Sequence, residues 1–345
     1  MKVSQDFWIK IKQPILALAP MAGITDSAFR QLCRHYGADV VYTEMISADG
    51  LYYDSKKTLE FLKIDKKEHP VVAQLFGKHP EKFSKAARLC EQAGFDGIDI
   101  NFGCPAKKVA GHGGGVTLMR DLPKCRQIIE AVLAGTKLPI SVKLRSSINS
   151  LLSSRVRRGG RGISENKEEE INKKITALDF LKFMKDLPLA AAMIHGRSYE
   201  KPFEGEPDYE MIKKCVQYQK GINPQCAIIG NGGIKKPEDA KKMIELTGVD
   251  GVGLARGLYG RPWLFEQCHK YLKAGKYSEF AVADIKKAIL LHGRLAFAAK
   301  KKHGLVELRK HLLWYVSGRP NAKALRAQLV RVESISDIKK ILKNI

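Results

Sequence analysis

The chain has 345 residues, 44% of them hydrophobic, which suffices for one large folded domain and a smaller one and excludes global disorder. Its 60 Lys and Arg residues against 36 Asp and Glu residues leave a net charge of +24. This excess favours a polyanionic partner, nucleic acid before a membrane, although a lysine-rich solvated surface would give the same count.

Sequence signals for a membrane or an oxidising compartment are not found. No apolar run reaches the roughly 20 residues that a membrane-spanning helix needs, and residues 1–14 contain lysines without the apolar stretch of a signal peptide. The seven cysteines are odd in number and lack CxxC spacing, which argues against a disulfide framework and against a metal site. We therefore expect a cytoplasmic protein that holds no metal.

Eight short apolar runs alternate with helix-like stretches in the first 265 residues. The predicted strands are Ile15–Ala19, Val40–Thr43, Val71–Leu75, Gly97–Asn101, Ile140–Leu144, Ala191–His195, Ala227–Gly230 and Gly251–Leu254. The clearest predicted helices between them are Pro80–Ala93, Lys124–Ala134 and Pro237–Leu246. This alternation predicts parallel strands with crossover helices, and eight units favour an α/β fold of the (β/α)8 TIM-barrel type over an open sheet.

One stretch interrupts this rhythm. Residues 146–172 are rich in arginine and glycine and end in a run of glutamates, Glu168–Glu170. We predict a flexible, charged insertion near the barrel mouth, followed by a helix over Thr176–Lys185. The insertion could contact RNA, act as a lid, or be a solvated loop without function.

After Trp263 the strand pattern stops and a helical pattern begins. Apolar residues recur every three or four positions in Ile285–Lys300, Leu305–Tyr315, Ala322–Arg331 and Ile335–Leu342. Residues 281–345 contain 15 Lys and Arg residues against four Asp and Glu residues, a net charge of +11. We predict a barrel domain over residues 1–265 and a small, basic, all-helical domain over residues 280–345.

The residues with chemical potential follow the predicted strands, where the βα loops of a barrel share one face. Glycines after the seventh and eighth strands leave room for backbone N–H groups to approach an anion, and a nearby arginine adds charge. The residues of this predicted phosphate site are Asn231, Gly232, Gly233, Gly253 and Arg256. A cofactor with a phosphate tail, such as FMN, would fit there.

Three further side chains are expected at the same opening. Lys143 lies inside an apolar strand and could stabilise negative charge on a reduced flavin ring, while the Gln74 amide could bond the polar edge of that ring. His195 ends the sixth strand and could equally be a core histidine.

Cys104 is the candidate acid. Because an ordinary thiol has a pKa near 8.5, it is mostly protonated at neutral pH and can donate a proton. Gly103 and Pro105 flank it in a sharp turn after the fourth strand, which would aim the thiol into the mouth. The alternative is an inert buried cysteine.

The chain resembles the FMN-dependent tRNA-dihydrouridine synthases over nearly its whole length. The motifs that carry the resemblance are APMAGITDSAFR (Ala19–Arg30), NFGCPAKKVAGHGGGVTLM (Asn101–Met119), SVKLR (Ser141–Arg145), HGR (His195–Arg197), NGGI (Asn231–Ile234), GLARGLYGRPWLF (Gly253–Phe265) and RKHLLWYVSGRPNAKALR (Arg309–Arg326). The chain departs from the family pattern after Arg145, where the insertion begins, and follows it only loosely over Tyr199–Pro207.

The resemblance implies a reaction. NADPH, or NADH, would reduce FMN, and a uridine of tRNA, expected in the D-loop, would become 5,6-dihydrouridine with Cys104 as the general acid. It also implies that the target base leaves its stack and that the protein is a monomer with no membrane or protein partner.

The resemblance also assigns site residues. Those implied to hold FMN are Pro20, Met21, Gln74, Lys143, His195, Asn231, Gly232, Gly233, Gly253 and Arg256. Those implied to contact the substrate RNA are Asn101, Arg145, Arg197, Lys310 and His311.

Two other functions remain open from the sequence. The chain could be a small-molecule FMN oxidoreductase of the dihydroorotate dehydrogenase type, but a free pyrimidine needs no basic domain. It could also be a non-catalytic RNA-binding barrel, against which the presence of Cys104, Lys143 and His195 argues.

Overall fold

The structure is a computed structural model that describes residues 7–106, 111, 113–150 and 174–344. Its strands are β1 (Ile15–Leu18), β2 (Val40–Ser47), β3 (Val71–Phe76), β4 (Gly97–Phe102), β5 (Ile140–Arg145), β6 (Ser147–Asn149), β7 (Lys174–Thr176), β8 (Leu189–His195), β9 (Ala227–Asn231) and β10 (Gly251–Leu254). Eight of them close into a parallel barrel in the order β1-β10-β9-β8-β5-β4-β3-β2. The predicted barrel is confirmed, and each predicted strand lies in it.

Helices surround the barrel, and most of them bury an apolar face, whereas the short helix Lys56–Leu59 has no buried residue. They are α1 (Phe7–Lys10), α2 (Ser27–His35), α3 (Ala48–Tyr52), α4 (Lys56–Leu59), α5 (Pro80–Gln92), α6 (Leu122–Gly135), α7 (Ala177–Phe183), α8 (Tyr209–Ile222), α9 (Pro237–Thr247) and α10 (Leu264–Ala274). Short 3-10 helices occupy Glu60–Leu62, Lys66–Glu68, Gly115–Arg120 and Arg256–Leu258. Proline in the first turn of α5, α6 and α9 supplies the helical φ where no intrahelical N–H bond is needed.

The start of the predicted insertion is ordered rather than flexible. Strand β6 follows β5 directly and pairs antiparallel with β7, with Ile148 fully buried. The Ser146 backbone N–H donates to the His195 carbonyl at 2.8 Å, which ties this ribbon to the barrel mouth. The remainder of the predicted insertion, residues 151–172, lies outside the described residues.

The C-terminal residues form the predicted helical region, with α11 (Val282–Tyr315), α12 (Ala322–Leu329) and α13 (Ile335–Leu342). Helix α11 is broken at Lys300 and Lys301, so it consists of two helices, as the sequence pattern predicts. Its halves fold back on each other, and a Cβ at Gly304 would lie only 2.0 Å from the Ala296 carbonyl oxygen. Glycine is therefore required at this crossing.

The helical region is anchored on the barrel through Phe29 of α2. The Phe29 ring lies 5.6 Å from the ring of His292 and 4.8 Å from that of His311, both on α11. The expectation that His311 contacts RNA is wrong for this conformation, because its side chain is only 1% exposed and is enclosed by this interface.

Within the described residues, no helix combines the length and apolarity that crossing a membrane would require.

The buried histidines predict that acid weakens the protein. Burial lowers the pKa of His292 to about 3 from its ordinary 6.5, so the folded state resists protonation. The contribution of the neutral His292 to the free energy of unfolding is fully present above pH 6.5 and decreases as the pH falls toward 3. At about pH 5 the loss from His292 alone is about 2 kcal/mol. Urea unfolding at neutral and acid pH measures it.

The variant His292→Gln, which does not titrate, should lose less stability on acidification than the wild type. His303→Gln is the matched control, because His303 lies in the second half of α11 with a side chain 72% exposed. Equal acid sensitivity in the wild type and His292→Gln would refute this assignment.

Candidate active site

The strand registers of the barrel bring the predicted site residues together. Asn101 of β4 pairs with Lys143 of β5, His195 of β8 pairs with Asn231 of β9, and Asn231 pairs with Gly253 of β10. These residues lie toward the carboxyl ends of their strands. The βα loops that hold functional groups in such barrels share this end.

A cavity of about 490 Å³ opens at this end of the barrel. It is lined by the predicted residues His195, Arg197, Asn231, Gly232, Gly233, Gly253 and Arg256. It is also lined by Phe203, Lys235 and Arg261, which the sequence reasoning missed. Its volume is that of an ordinary small-molecule or cofactor site.

Positive charge converges on His195. Burial, together with the charges of Lys143, Arg145, Arg197 and Arg256, lowers the pKa of His195 to about 2, so its imidazole is neutral. A cluster of four basic groups beside a cavity favours an anionic ligand.

Lys143 reaches across the mouth from β5. Its Nζ donates to the Asn231 Oδ1 at 3.3 Å, and the Asn231 Nδ2 in turn donates to the Gly253 carbonyl at 2.6 Å. Burial, together with the Arg145 charge, lowers the pKa of Lys143 to about 8. At neutral pH the lysine is still mostly protonated, so it can balance negative charge on a ligand.

The turn after β9 depends on two glycines. Gly232 and Gly233 have φ of 108° and 78°, a backbone region that other residues rarely adopt. A Cβ at Gly232 would lie 2.6 Å from the His195 Cδ2. These glycines therefore allow the backbone and the histidine to approach each other at the cavity wall.

The turn that carries Cys104 is held by Asn101. The Asn101 Oδ1 accepts hydrogen bonds from the backbone N–H groups of Gly103, at 3.1 Å, and Cys104, at 2.9 Å. Asn101 is 5% exposed. The sequence assigned this residue to substrate contact, whereas the structure uses its amide within the protein.

Arg145 connects the same turn to the loop between β8 and α8. Its Nε donates to the Gly103 carbonyl at 3.1 Å, and one terminal nitrogen donates to the Pro202 carbonyl at 3.0 Å. Arg145 is only 4% exposed. Its Nε and one terminal nitrogen are thus engaged by backbone carbonyls of the protein.

The Cys104 thiol is kept in its protonated form. Burial raises its pKa above that of an ordinary thiol, and the opposing effects of the Ala106 backbone N–H, Lys143 and Arg145 are smaller. Cys104 is half-buried, whereas the other six cysteines are buried core residues. It is therefore the cysteine that a reactant at the mouth can reach.

The sequence reasoning missed Asp99, which lies beneath the mouth. Its Oδ2 accepts from the Gln74 Nε2 at 2.7 Å, and the Gln74 Oε1 accepts from the Asn101 Nδ2 at 2.8 Å. Burial raises the pKa of Asp99 to about 6. Asp99 lies two residues before Asn101 on one strand, so strand periodicity could have placed both on the same face.

The remaining predicted residues lie around the edge of the site. Pro20 and Met21 follow β1, and the Met21 backbone N–H donates to the Thr25 hydroxyl at 3.2 Å. The Arg197 side chain donates to the carbonyls of Glu204 and Gly205, and its Nη1 is buried with no hydrogen-bond partner among the described residues.

Lys310 lies outside the cavity. Burial raises the pKa of Asp26 and Glu44, and Lys310 of α11 lies close enough to both carboxyls for its charge to oppose that shift. Since the Glu44 carboxylate accepts from the Gly23 backbone N–H in the loop after β1, Lys310 lies beside the barrel mouth.

Phe203 is an aromatic residue among the cavity-lining residues that the sequence reasoning missed. Its ring is 58% exposed, and the Arg256 guanidinium lies 4.7 Å from the ring centroid. Phe203 lies in the stretch where the sequence follows the family pattern loosely, so no sequence signal identified it.

Known proteins resemble this chain over most of its length. The sequence model of the family described as dihydrouridine synthase matches residues 17–157 and 167–345. The tRNA-dihydrouridine synthase B of Pseudomonas aeruginosa is 33% identical over 320 residues, covering 92% of this chain and 88% of that protein. The tRNA-dihydrouridine synthase B of Shewanella oneidensis is 31% identical over 324 residues, covering 93% and 92%.

Solved structures share the fold at low identity. A 2-naphthoyl-CoA reductase complex has a TM-score of 0.52 at 11% identity, covering 76% of this chain and 50% of that one. The 6-hydroxypseudooxynicotine amine oxidase of Pseudomonas geniculata has a TM-score of 0.51 at 14% identity, covering 79% and 50%. These similarities extend to the barrel architecture alone.

Because Gly232 lies against His195 in the cavity wall, we expect Gly232→Ala to destabilise the protein more than the strain of its backbone conformation alone would. The added Cβ would collide with His195, on top of about 1–3 kcal/mol of backbone strain at positive φ. Gly318→Ala is the matched control, because Gly318 has φ of 74° and nothing within 4 Å of its Cβ position. Urea unfolding should show a larger loss for Gly232→Ala, and equal losses would contradict the proposed close approach.

Proposed function

The chain belongs to the tRNA-dihydrouridine synthase family, and we propose that it reduces the C5=C6 bond of a uridine in tRNA through a bound FMN, with Cys104 as the acid. The observation that supports this proposal most strongly is the position and protonation state of the Cys104 thiol. It is half-buried at the barrel mouth, next to a cationic cavity, and burial keeps it protonated. A protonated group beside a site for an electron carrier is what adding two hydrogens to a double bond requires.

The residues of the cavity fit FMN. Arg197 and Arg256, with the backbone N–H groups of the glycine turn after β9, would hold the phosphate. The buried Arg197 Nη1, which has no hydrogen-bond partner in the part of the chain that the structure describes, lies 3.2 Å from the position of a Cβ at Gly232 and supports this fit. Lys143 would hold the polar edge of the ring and balance its charge. Met21 and His195 would lie beside the flavin ring.

The proposed reaction adds a hydride and a proton to one pyrimidine. When bound, FMN supplies the hydride to C6, drawing its electrons from NADPH or NADH. The S–H bond of Cys104 breaks as a C–H bond forms at C5, and the resulting thiolate regains a proton from water. The neighbouring charges of Lys143 and Arg145 favour this thiolate while it lasts.

A uridine inside a tRNA must leave its stack to reach this site. The helical region carries a net charge of +11, and exposed Lys323 and Arg326 on α12 and Lys310 beside the mouth would contact phosphates. These contacts would position the RNA without reading its sequence. We therefore propose residues 280–345 as the tRNA-binding domain and the preceding barrel as the catalytic domain.

The family assignment favours this function over the two alternatives from the sequence. The relatives named above are tRNA-dihydrouridine synthases rather than small-molecule reductases, and this chain matches nearly their whole length. The candidate acid and Lys143 argue against a protein that only binds RNA. Mass spectrometry of unmodified tRNA after incubation with the protein, FMN and NADPH tests the proposal: a gain of two hydrogens in one uridine supports it, and no gain refutes it.

Replacing the acid should stop the chemistry and spare the cofactor. Cys104→Ala is expected to retain FMN and its reduction by NADPH but to slow dihydrouridine formation about 10²- to 10⁴-fold, the usual contribution of a positioned proton donor. Stopped-flow absorbance and tRNA mass spectrometry measure the two steps. Cys226→Ala, which removes a buried cysteine, is the control. Undiminished dihydrouridine formation by Cys104→Ala would rule out the acid role.

The tRNA-binding face is best tested by point substitutions. Removing the helical region would expose the barrel residues Phe29 and Trp263 that pack against it. The double variant Lys323→Glu and Arg326→Glu should instead weaken tRNA binding and reduce the dependence of log Kd on log salt concentration by about 1 per lost phosphate contact. Reduction of bound FMN by NADPH should not change.

The matched control carries the same charge change at the opposite end of the barrel. Lys185 and Lys220 are exposed near the amino-terminal ends of β8 and β9, so Lys185→Glu with Lys220→Glu should leave tRNA affinity nearly unchanged. Equal loss of affinity in both double variants would mean that net charge, rather than the α12 face, governs binding.

A further inference from the structure

Four polar side chains form a continuous hydrogen-bonded row beneath the barrel mouth. The Ser141 hydroxyl donates to the Asp99 Oδ1 at 2.8 Å, the Gln74 Nε2 donates to the Asp99 Oδ2 at 2.7 Å, and the Asn101 Nδ2 donates to the Gln74 Oε1 at 2.8 Å. All four side chains are at most 5% exposed. We call Ser141, Asp99, Gln74 and Asn101 the polar row. It ends at the backbone N–H of Cys104.

The carboxylate of Asp99 determines which end of each amide in the polar row donates a hydrogen bond and which end accepts one. An ionised carboxylate only accepts hydrogen bonds, so Gln74 must turn its NH2 group toward Asp99 and its oxygen toward Asn101. Asn101 must then turn its NH2 group toward Gln74, which leaves its oxygen facing Gly103 and Cys104. A flip of either amide would place two donors or two acceptors together in a buried site, which is costly.

We propose that Asp99 is a positioning residue for the reaction, because its carboxylate sets the orientation of both amides and thereby holds the turn that carries Cys104. The inference rests on the proposed function only for the role of Cys104 as the acid. Asp99 itself touches neither the cavity nor the thiol, so its effect passes through Gln74 and Asn101.

The surroundings of Asp99 are consistent with this role. The other groups that face it are Tyr42 from β2 and Lys143 from β5. The hydrogen bonds from Gln74 and Ser141 and the Lys143 charge favour the ionised form, while burial raises the pKa to about 6. The carboxyl is therefore mainly an acceptor at neutral pH. A second possible role, as a counter-charge for Lys143, makes a different prediction below.

Two substitutions of Asp99 separate these roles. Asp99→Leu removes the acceptor, so Gln74 and Asn101 can flip and the turn loosens. Asp99→Asn keeps an oxygen for the Gln74 N–H, and the Ser141 hydroxyl can rotate to accept from the new NH2 group. Orientation by hydrogen bonding thus predicts that Asn rescues function, whereas counter-charge predicts that Asn fails as badly as Leu.

The first readout is independent of flavin and tRNA. Iodoacetamide modification of Cys104, followed by mass spectrometry, reports how well the turn protects the thiol. Cys104 should be modified several-fold faster in Asp99→Leu than in the wild type. The pH at which the modification rate is half-maximal should fall toward that of an exposed cysteine. The second readout is single-turnover reduction of tRNA by the prereduced enzyme, which should slow about 10- to 100-fold because the acid is misplaced.

A third variant keeps the test decisive if Asp99→Leu does not fold. Gln74→Glu places a second carboxyl against Asp99, and the pair can form the original hydrogen bond only by sharing a proton. The ratio of the variant's Cys104 modification rate to the wild-type rate should therefore fall as the pH is lowered from about 9 to about 6. A simple packing defect would leave this ratio independent of pH.

Thr247→Val is the control for loss of a buried hydrogen bond in the barrel outside the polar row. Wild-type modification and reduction rates in a folded Asp99→Leu, an Asp99→Asn as impaired as Asp99→Leu, or a pH-independent ratio in Gln74→Glu would each overturn the proposal. If the wild type makes no dihydrouridine while the modification rates follow the predictions, the proposed function fails and the role of Asp99 in holding the turn stands.

Discussion

Closure of the parallel barrel is the constraint on which the site depends, because it brings the carboxyl ends of eight strands around one opening. Cys104, Lys143 and His195 are far apart in sequence, and only strand register makes them neighbours. Lys143 and His195 contribute their chemistry from buried strands, whereas Cys104 lies in the turn after β4, which Asn101 holds in place.

Burial then determines the charge state of each group. It keeps the Cys104 thiol protonated and the His195 imidazole neutral, while four basic side chains leave the cavity strongly cationic. A protonated acid and an anion site are thus produced by one environment. The same cations would favour the thiolate left after proton transfer, so the site that withholds the proton at rest also stabilises the product of its release.

Much of the fold and part of the site could be predicted from the sequence. Apolar runs identified all eight barrel strands because a parallel barrel buries both faces of each strand, and glycine turns identified the cavity wall. The roles of Asn101 and Arg145 could not be predicted, since their hydrogen-bond partners, the Gln74 side chain among them, lie at positions that only the folded chain brings near. His311 matched a tail motif, yet its burial against Phe29 depends on how two domains pack. No sequence signal distinguished Asp99 from other polar residues within predicted strands.

The pH dependence of tRNA reduction by the prereduced enzyme in a single turnover tests the central claim most directly. If Cys104 donates the proton from a thiol whose pKa burial raises above 9.0, the rate should be level through neutral pH and fall only in the alkaline range, and this fall should vanish in Cys104→Ala. A rate that instead rises with pH as the thiol ionises would show that the thiolate is the working form, and would contradict the account.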